Sequence, residues 1–273
     1  MPELHEVETI KHQLNLLVAG KKIKRIEILL PKIVKTSLAE FKKATNGSKI
    51  NGFNRRAKIL IMHLDNGWSL LIHLKLSGQL IFDGQKSKHT HVIFHFTNGH
   101  HLIFNDLRQF GYVKIIKTGE LDKFFEKEDF GPEPFDKNFS LAQFVARLDR
   151  RPNTKIKQFL LDQTNIAGIG NIYSDEILFA SRIHPLRKIK DLKPNEIKNI
   201  YKNIKKILNE AIRLKGTSSN LYVDAYGKKG SFLNHLKVYG REDEKCKKCA
   251  GLIKRIKLGG RSAHFCPTCQ RLA

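Results

Sequence analysis

The chain has 273 residues, of which 41% are hydrophobic and 28% charged, and its 50 Lys and Arg against 26 Asp and Glu give a formal net charge of +24. This apolar content supports a packed core and excludes disorder along the whole chain. So large a positive surplus is typical of proteins that bind a polyanion, nucleic acid first and an acidic membrane surface second. A lysine bias in an AT-rich genome is the alternative explanation for part of the surplus.

The first predicted element is a helix over residues 3–18, because apolar residues from Val7 to Val18 repeat at helical spacing. Short apolar runs separated by Asn-Gly turns follow, which is typical of an antiparallel sandwich or barrel. The predicted strands are 23–28, 59–64, 70–74, 79–82, 91–96, 101–104 and 112–116, and the turn signals include Asn46-Gly47, Asn51-Gly52, Asn66-Gly67 and Asn98-Gly99.

Gly131-Pro132-Glu133-Pro134 is predicted to be a linker, after which the chain becomes helical. Helices are predicted over 141–148, 155–161, 171–181 and 195–214, and a long polar loop over 216–230. We therefore predict an α+β fold, with a helix and an antiparallel β-sandwich over 1–130, a linker and first helix over 131–153, a helical domain over 154–235 and a cysteine-bearing module over 236–273.

The N-terminal sequence has no basic segment followed by an apolar run, and no apolar stretch approaches the roughly 20 residues that span a bilayer. We therefore expect a cytoplasmic protein without a membrane partner. The four cysteines all lie within the last 28 residues, as two Cys-x2-Cys pairs separated by sixteen residues. Without a secretory signal, this spacing favours a tetrahedral Zn²⁺ site over disulfides. We predict one structural Zn²⁺, bound by Cys246, Cys249, Cys266 and Cys269.

Two segments suit contact with phosphate. Between the two cysteine pairs, Gly259-Gly260 makes a tight turn that presents Arg261 to a phosphate or a groove; a solvated surface charge is the alternative. Residues 163–173 lie between two predicted helices and contain two glycines that let the backbone approach a ligand closely. Asn171 stands at the start of the second of these helices, where it either caps the helix or binds a phosphate.

The N-terminal residues suggest a third kind of chemistry. Initiator Met is generally removed before a small residue, and its loss would expose Pro2 as a secondary amine whose pKa lies far below that of lysine. Such amines form Schiff bases with carbonyl-type carbons. Glu3 and Glu6 follow on the first helical turn, where stabilisation of a carboxylate by the helix dipole is the alternative explanation.

Taken together, these motifs resemble those of the bacterial formamidopyrimidine-DNA glycosylase family. The resemblance rests on Pro2-Glu3-Leu4, on residues 6–9 and 165–176 and on the segment 259–267, and it covers essentially the whole chain. It implies a helix-two-turn-helix in the helical domain. It also implies a monomeric repair enzyme that removes oxidised purines, such as 8-oxoguanine and formamidopyrimidines, from double-stranded DNA and cuts the abasic strand by β,δ-elimination.

The resemblance further implies roles for individual residues. The Pro2 amine would attack the sugar C1′, Glu3 would shuttle protons, and Lys58 of the Arg-Arg-x-Lys segment would belong to the active site. Glu6 would line the pocket for the flipped base, and residues 217–226 would close over that base. The implied contacts to DNA are Asn171, Lys157, Arg261, His91 and Tyr239.

A flipped nucleotide leaves a gap in the base stack, which the family fills with a Met, an Arg and a Phe. Arg108 and Phe110 match two of these residues. Leu76 takes the Met position, with the apolar bulk but without the flexible thioether. We call these three the wedge residues. The place of Phe110 in an Arg-x-Phe-Gly segment beside a turn favours its exposure over a place in the core.

Two residues depart from the family pattern. His5 stands where the family has Pro, and it either loosens the first helical turn or adds a titratable group there. Ala57 replaces a Gly before the active-site lysine, which restricts the backbone. Neither change removes a reacting group, whereas retention of Met1 would turn the Pro2 nitrogen into an amide that cannot attack.

Three other functions remain as alternatives. The sister family that resembles endonuclease VIII prefers oxidised pyrimidines, but Leu4 and the Arg108-x-Phe110 pair favour the purine enzyme. A non-catalytic binder of damaged DNA would be favoured by His5 and by retention of Met1. A ribosome- or RNA-binding zinc protein would explain the charge but neither Pro2-Glu3 nor the wedge residues.

Overall fold

The computed structural model of the protein describes residues 2–217 and 221–272. The chain divides into two compact units. The first unit comprises Met1–Glu128 and Leu214–Leu233, and the second comprises Asp129–Arg213 and Asn234–Ala273. The chain therefore leaves the first unit just before the predicted linker and returns to it after the last long helix. The returning segment, Leu214–Leu233, falls within the range 154–235 that was predicted as the helical domain.

The first unit is a sandwich of two four-stranded antiparallel sheets. Its strands are β1 (Ile23–Ile28), β2 (Ile50–Arg56), β3 (Ile59–Leu64), β4 (Trp68–His73), β5 (Gly78–Phe82), β6 (Thr90–Phe96), β7 (His101–Asp106) and β8 (Tyr112–Lys117). One sheet has the order β1-β6-β7-β5 and the other β2-β3-β4-β8. Apolar side chains of both sheets form one buried core, as expected for a sandwich.

Three helices accompany this sandwich: α1 (Leu4–Leu17), α2 (Leu38–Thr45) and α3 (Leu121–Lys127). The predicted apolar stripe of α1, from Val7 to Leu14, is buried in the sandwich core. Glu6, Thr9 and Gln13 of the same helix are also buried. Because polar side chains lose water only where partners replace it, α1 must have a second, polar contact surface.

One predicted turn is instead part of a strand. Asn51 and Gly52 lie inside β2, whose pairing with β3 shifts register between Ile50 and Gly52. Gly52 has a φ of 149°, and the Asn15 amide of α1 donates to the Phe53 carbonyl at 2.9 Å and accepts the Phe53 N–H at 2.8 Å. Asn-Gly by itself favours a turn, but the contact with α1 holds this dipeptide in a strand with a β-bulge.

The second unit is helical, with a C-terminal hairpin. Its elements are α4 (Leu141–Asp149), α5 (Ile156–Leu161), α6 (Asn171–Ser181), α7 (Pro194–Arg213), β9 (Lys254–Leu258) and β10 (Arg261–Phe265). Phe179 of α6 packs with Val238, Ile253 and the cysteines other than Cys249, so that the hairpin module shares a core with this helix. Sheets, helices and hairpin confirm the predicted α+β fold. In the described part of the chain, no helix combines the length and apolar character that crossing a membrane requires.

Candidate functional site

The first turn of α1 and the two residues before it are buried, and we call Pro2, Glu3, His5 and Glu6 of this stretch the N-terminal cluster. A buried carboxylate needs hydrogen-bond donors, and Glu6 has backbone donors on both oxygens. Its Oε2 accepts the Glu3 N–H at 2.5 Å, and its Oε1 accepts the Thr217 N–H at 3.0 Å. Glu6 thereby joins the helix start, next to Pro2, to a segment 211 positions further along the chain.

That segment, Leu214–Leu233, is held on α1 by a second polar side chain. The Gln13 amide donates to the Asp224 carboxylate at 2.8 Å and accepts the Ala225 N–H at 2.9 Å. The Phe82 N–H of β5 also donates to the Ala225 carbonyl at 2.9 Å. Residues 218–220 of the closing loop implied by the resemblance, 217–226, lie outside the described residues.

Tyr222 packs closely against Glu6 within this contact. A Cβ at Gly216, whose φ is 84°, would lie 2.6 Å from the Glu6 Cγ and 2.9 Å from the Tyr222 ring, so no larger residue fits without a shift. Burial, followed by the negative charges of Glu6 and Asp224, raises the pKa of the Tyr222 hydroxyl well above its usual value. Tyr222 therefore stays neutral beside the cluster at ordinary pH.

Lys58 follows the turn between β2 and β3, where Ala57 has a left-handed φ of 52°. Arg55 fixes this turn, because its Nη1 donates to the Ala57 carbonyl at 2.7 Å and its Nε donates to Glu8 of α1 at 2.8 Å. Burial raises the pKa of Glu8, but hydrogen bonds from Lys11 and Arg55 outweigh it and hold the pKa below the usual value. Arg55 and Glu8 thus tie the turn beside the buried Lys58 to α1.

His73, at the end of β4, is a neighbour of Lys58 that no sequence pattern distinguishes. Burial, together with the positive charges of Lys75 and Lys58, lowers the pKa of its imidazole to about 3. The ring is therefore neutral at pH 7, and its Nδ1 accepts the Lys75 N–H at 3.0 Å. The proton of the neutral ring consequently resides on Nε2, which makes His73 a hydrogen-bond donor.

Asp106, buried at the end of β7, joins the two turns that carry the wedge residues. Its carboxylate accepts the Ser77 hydroxyl and, at 2.7 Å, the Gly111 N–H. The Arg108 N–H donates to the Ser77 Oγ at 2.9 Å, so the two turns share one hydrogen-bond network. In the sequence, a single Asp directly after an apolar strand and just before the Arg-x-Phe-Gly segment is the signal that could have identified Asp106.

The structure brings the wedge residues to adjacent turns. Phe110 is 55% exposed, as its place beside a turn suggests, and the Arg108 guanidinium lies 5.0 Å from its ring centroid. Leu76 is half-buried on the neighbouring turn. His91, by contrast, is buried behind this turn, with its Nε2 2.8 Å from the Asp106 carbonyl oxygen.

In the second unit, two of the residues expected to contact phosphate lie at element starts. Asn171 begins α6, and its buried Oδ1 has no hydrogen-bond partner among the described residues. Arg261 is exposed at the first position of β10, in an open pocket that Arg255 and Lys257 also line. The Arg261 guanidinium therefore offers donors to an anion, whereas the Asn171 Oδ1 can only accept a hydrogen bond, so any phosphate contact of Asn171 must use its Nδ2.

Lys157 lies inside the second unit, with 0% of its surface exposed. Its ammonium donates to the Asp175 carboxylate at 2.5 Å and to the Ser262 carbonyl at 2.6 Å. Asp175 also accepts the His264 N–H at 2.9 Å. Because these partners lie on α6 and β10, Lys157 holds the hairpin against the helix. This position differs from the phosphate contact that the resemblance implies for Lys157.

The backbone at Tyr239 belongs to a short run of N–H groups that bind one carboxylate. The N–H groups of Lys237, Val238 and Tyr239 all donate to Glu176 at 2.9–3.1 Å. Burial is the main cause that raises the pKa of Glu176, and these bonds oppose it. The Tyr239 ring lies 4.9 Å from the His264 ring. The backbone beside Tyr239 is therefore anchored to α6.

The four cysteine Sγ atoms form a site for one metal ion. All of them lie within 4.8 Å of one another, and in a tetrahedron with Zn–S bonds of about 2.3 Å the sulfur atoms stand about 3.8 Å apart. Four thiolates without an oxygen ligand or an open position are typical of structural Zn²⁺. The prediction of one structural Zn²⁺ bound by Cys246, Cys249, Cys266 and Cys269 is thereby confirmed.

Comparisons with known proteins cover the whole chain. Three family models match: the formamidopyrimidine-DNA glycosylase N-terminal domain over residues 1–113, the H2TH domain of the same enzymes over 130–223, and a zinc finger found in FPG and IleRS over 243–272. A formamidopyrimidine-DNA glycosylase of Pelotomaculum thermopropionicum is 41% identical over 276 residues, with 100% of both chains covered.

Solved structures of the Lactococcus lactis Fpg are similarly close. Its complexes with DNA containing an abasic site, Fapy-dG or an oxidised pyrimidine match with a TM-score of 0.93 and 38% identity. Each covers 99% of this chain and 100% of the other. The similarity therefore extends over both units.

Proposed function

Since the chain belongs to the formamidopyrimidine-DNA glycosylase family and is thus a DNA glycosylase that acts on damaged DNA, we propose that it excises oxidised purines from duplex DNA and then cleaves the strand. The observation that carries this proposal is the N-terminal cluster. It buries Pro2 with two carboxylates at a helix start, one of them bonded to the segment that would close over the base.

In the proposed reaction, the Pro2 nitrogen forms a bond to C1′ while the glycosidic bond breaks and the base leaves with the bonding electrons and a proton. Glu3 donates a proton to O4′ as the sugar ring opens, which yields an iminium ion. This cation acidifies the C2′ hydrogens, so that loss of one expels the 3′ phosphate, and a second elimination expels the 5′ phosphate. The step requires prior removal of Met1, which lies outside the described residues.

Lys58 and His73 are proposed to act next to the cluster. Arg55 fixes the β2–β3 turn that carries Lys58, and the neutral His73 offers an N–H, so both residues are candidates to bond a phosphate that flanks the damaged nucleotide. Lys58 is also placed to take part in proton transfer during elimination. Glu6 is proposed to line the pocket for the extruded base, beside the segment that starts at Thr217.

Extrusion of a base costs a few kcal/mol of stacking and pairing, which side chains inserted into the gap offset. Arg108 and Phe110 suit this role because a rigid turn presents them to solvent while Asp106 holds the turn from within. Leu76 adds apolar bulk from the neighbouring turn.

The second unit is proposed to bind DNA through its backbone. Arg261 and, through its Nδ2 donor, Asn171 are proposed to supply phosphate contacts, together with Tyr239 and His91, although His91 is buried and would have to be reached. We propose that Lys157 acts only indirectly, through the position of the hairpin. We further propose that the protein works as a monomer in the bacterial cytoplasm, where it would meet chromosomal DNA.

Oxidised pyrimidines are the second candidate substrate, because the Lactococcus relative has been crystallised with such a lesion. Parallel excision assays on duplexes with 8-oxoguanine, a formamidopyrimidine and an oxidised pyrimidine separate the two. Faster release of the pyrimidine than of both purines would overturn the substrate assignment and leave the chemistry intact.

Trapping with borohydride tests the chemistry. During turnover on an abasic or 8-oxoguanine duplex, we expect a covalent protein–DNA adduct whose peptide carries the N-terminal residue. Pro2→Gly should still be trapped through its primary amine, whereas Glu3→Gln should lose base excision by at least about 100-fold. Glu40→Gln, an exposed charge change on α2, serves as the matched control and should behave as the parent protein.

A form with an uncleaved N-terminal extension completes this test, because its Pro2 nitrogen is an amide. It should bind lesion-containing DNA and form no adduct. An adduct through Lys58, or normal nicking by the extended form, would contradict the N-terminal mechanism. Lesion binding without nicking by the parent protein would instead indicate a non-catalytic binder of damaged DNA.

A further inference from the structure

His91 is the extra residue of a β-bulge in β6. The pairing of β6 with β7 shifts register between Thr90 and Val92, so His91 has no partner residue of its own on β7. A bulge of this kind re-aims the side chain of its extra residue. Here the imidazole is buried, with 3% of the residue exposed, and its Nε2 lies 2.8 Å from the carbonyl oxygen of Asp106 at the end of β7.

The chemistry of this contact determines which nitrogen of His91 carries a hydrogen. A backbone carbonyl oxygen only accepts hydrogen bonds, and 2.8 Å is a normal length for an N–H···O bond. The imidazole therefore donates through Nε2, whether the ring is neutral or cationic. The donating edge of the ring is thus directed at the end of β7.

The accepting carbonyl belongs to the peptide that follows Asp106. This is the first peptide of the turn 107–111, which carries Arg108 and Phe110 and which we call the wedge turn. Because a peptide group is planar, a hydrogen bond that fixes its carbonyl also fixes the direction in which the chain leaves β7. The Asp106 N–H donates to the His89 carbonyl at 2.9 Å, so the preceding peptide is held as well.

The side chain of Asp106 holds the rest of the same turn. Its carboxylate accepts the Arg108 N–H at 3.2 Å and the Gly111 N–H at 2.7 Å. Phe110, by contrast, is 55% exposed and gains little from packing, so the conformation of the wedge turn depends on these hydrogen bonds. The bond from His91 is the one that acts on the first peptide of the turn.

We propose that His91 is a positioning residue, whose Nε2–H fixes the Asp106 carbonyl and thereby aims the wedge turn at the gap that an extruded base leaves. The inference rests on the proposed function, in which Arg108 and Phe110 enter that gap. This role replaces the phosphate contact that the family resemblance implies for His91. Excision of a paired base needs the wedge residues, whereas elimination at a preformed abasic site has no base to extrude.

Nitrogen-15 spectra of the imidazole in the DNA-free protein test the contact without relying on activity. We expect His91 to carry its hydrogen on Nε2, with an N–H that exchanges slowly because the ring is buried. His12, exposed on α1, provides the fast-exchanging reference. An unprotonated Nε2 on His91 would overturn the proposal, even if the protein proves to be an active glycosylase.

Two substitutions of His91 test the consequence for catalysis. His91→Leu keeps bulk without a donor, and we expect the rate constant of 8-oxoguanine excision to fall about tenfold, with nicking of an abasic duplex changed less than about threefold. His91→Gln offers an N–H at similar reach and should recover excision to within about threefold of the parent. Equal losses in both variants, or equal losses on both substrates, would contradict the positioning role.

The salt dependence of DNA binding separates this role from a phosphate contact. A side chain that binds a phosphate contributes about one unit to the slope of log Kd against log salt concentration, for damaged and undamaged duplexes alike. We expect His91→Leu to leave that slope unchanged, while Arg261→Ala serves as the positive control. A slope that falls by about one unit in His91→Leu would assign the residue to the phosphate backbone instead.

A double-mutant cycle and a matched control complete the experiment. In a background with Arg108→Ala and Phe110→Ala, His91→Leu should cause less than about a twofold further loss of excision, because the side chains that it aims are already absent; full additivity would sink the proposal. His95→Leu and His95→Gln, on the same strand but in contact with Glu27, should match the parent. If His91→Leu does not fold, His91→Gln and the imidazole spectra still decide. If the parent protein excises no base, the proposed function fails while the spectra still test the contact.

Discussion

The zinc site and the N-terminal cluster hold their polar side chains by different means. Cys246 and Cys269 are 23 positions apart, and the whole ligand set lies in one short module. In the N-terminal cluster, Glu6 reaches Thr217 across 211 positions and Gln13 reaches Ala225 across 212. The zinc site is therefore local in sequence, whereas the N-terminal cluster is complete only when the segment Leu214–Leu233 packs on α1.

This difference determines how each site responds to damage. In a small zinc module, metal binding and folding are coupled, so the loss of one ligand should unfold the module. The N-terminal cluster is held by several hydrogen bonds, each of which contributes about 1 kcal/mol, and by the packing of a large core around it. A single change there should loosen the segment on α1 and leave the sandwich folded.

The largest effect is expected for a zinc ligand. Cys266→Ser should lower the zinc content from one per chain to near zero and weaken DNA binding at least about 100-fold, because the hairpin that carries Arg261 loses its support. Elemental analysis and binding titrations measure this. Lys248→Ala, an exposed change between the first two ligands, is the control. Tight DNA binding by metal-free protein would contradict the local, metal-dependent character of this site.

A smaller effect is expected at the N-terminal cluster. Gln13→Ala leaves the Ala225 N–H without its acceptor, which costs about 1–3 kcal/mol in a buried setting, so hydrogen exchange at Ala225 should accelerate and base excision should fall about tenfold. Zinc content should stay at one per chain. Gln143→Ala, exposed on α4, is the control. Unchanged exchange at Ala225 would show that the segment does not depend on this contact.

The smallest effect is expected at the turn before Lys58. Ala57 has a φ of 52°, a conformation that costs a non-glycine residue about 1–2 kcal/mol, so Ala57→Gly should stabilise the protein by about 0.5 kcal/mol after its entropic cost. Urea unfolding measures the change. The matched substitution Ala44→Gly, inside α2, should destabilise by about 1 kcal/mol. Destabilisation by both substitutions would mean that the left-handed turn carries no strain.

Local sequence patterns predicted most elements of this fold. The bounds of β1, β3 and α6 agree with the predicted ranges, because their apolar periodicity and end signals are strong. No pattern predicted α2, α3 or β2. The two helices are short, and β2 contains the Asn51-Gly52 dipeptide, whose preference for a turn is overcome by the contact between Asn15 and Phe53.

The sequence by itself determined the zinc site, the N-terminal helix and the family of the chain, because each depends on residues close together or in a fixed order. Only the tertiary structure decided what surrounds these residues. It placed Lys157 in a buried ion pair with Asp175, and it brought the segment after α7 back onto Glu6. The physical reason is that burial, and the long-range hydrogen bonds that burial demands, depend on how the whole chain packs and leave no periodic signal in the sequence.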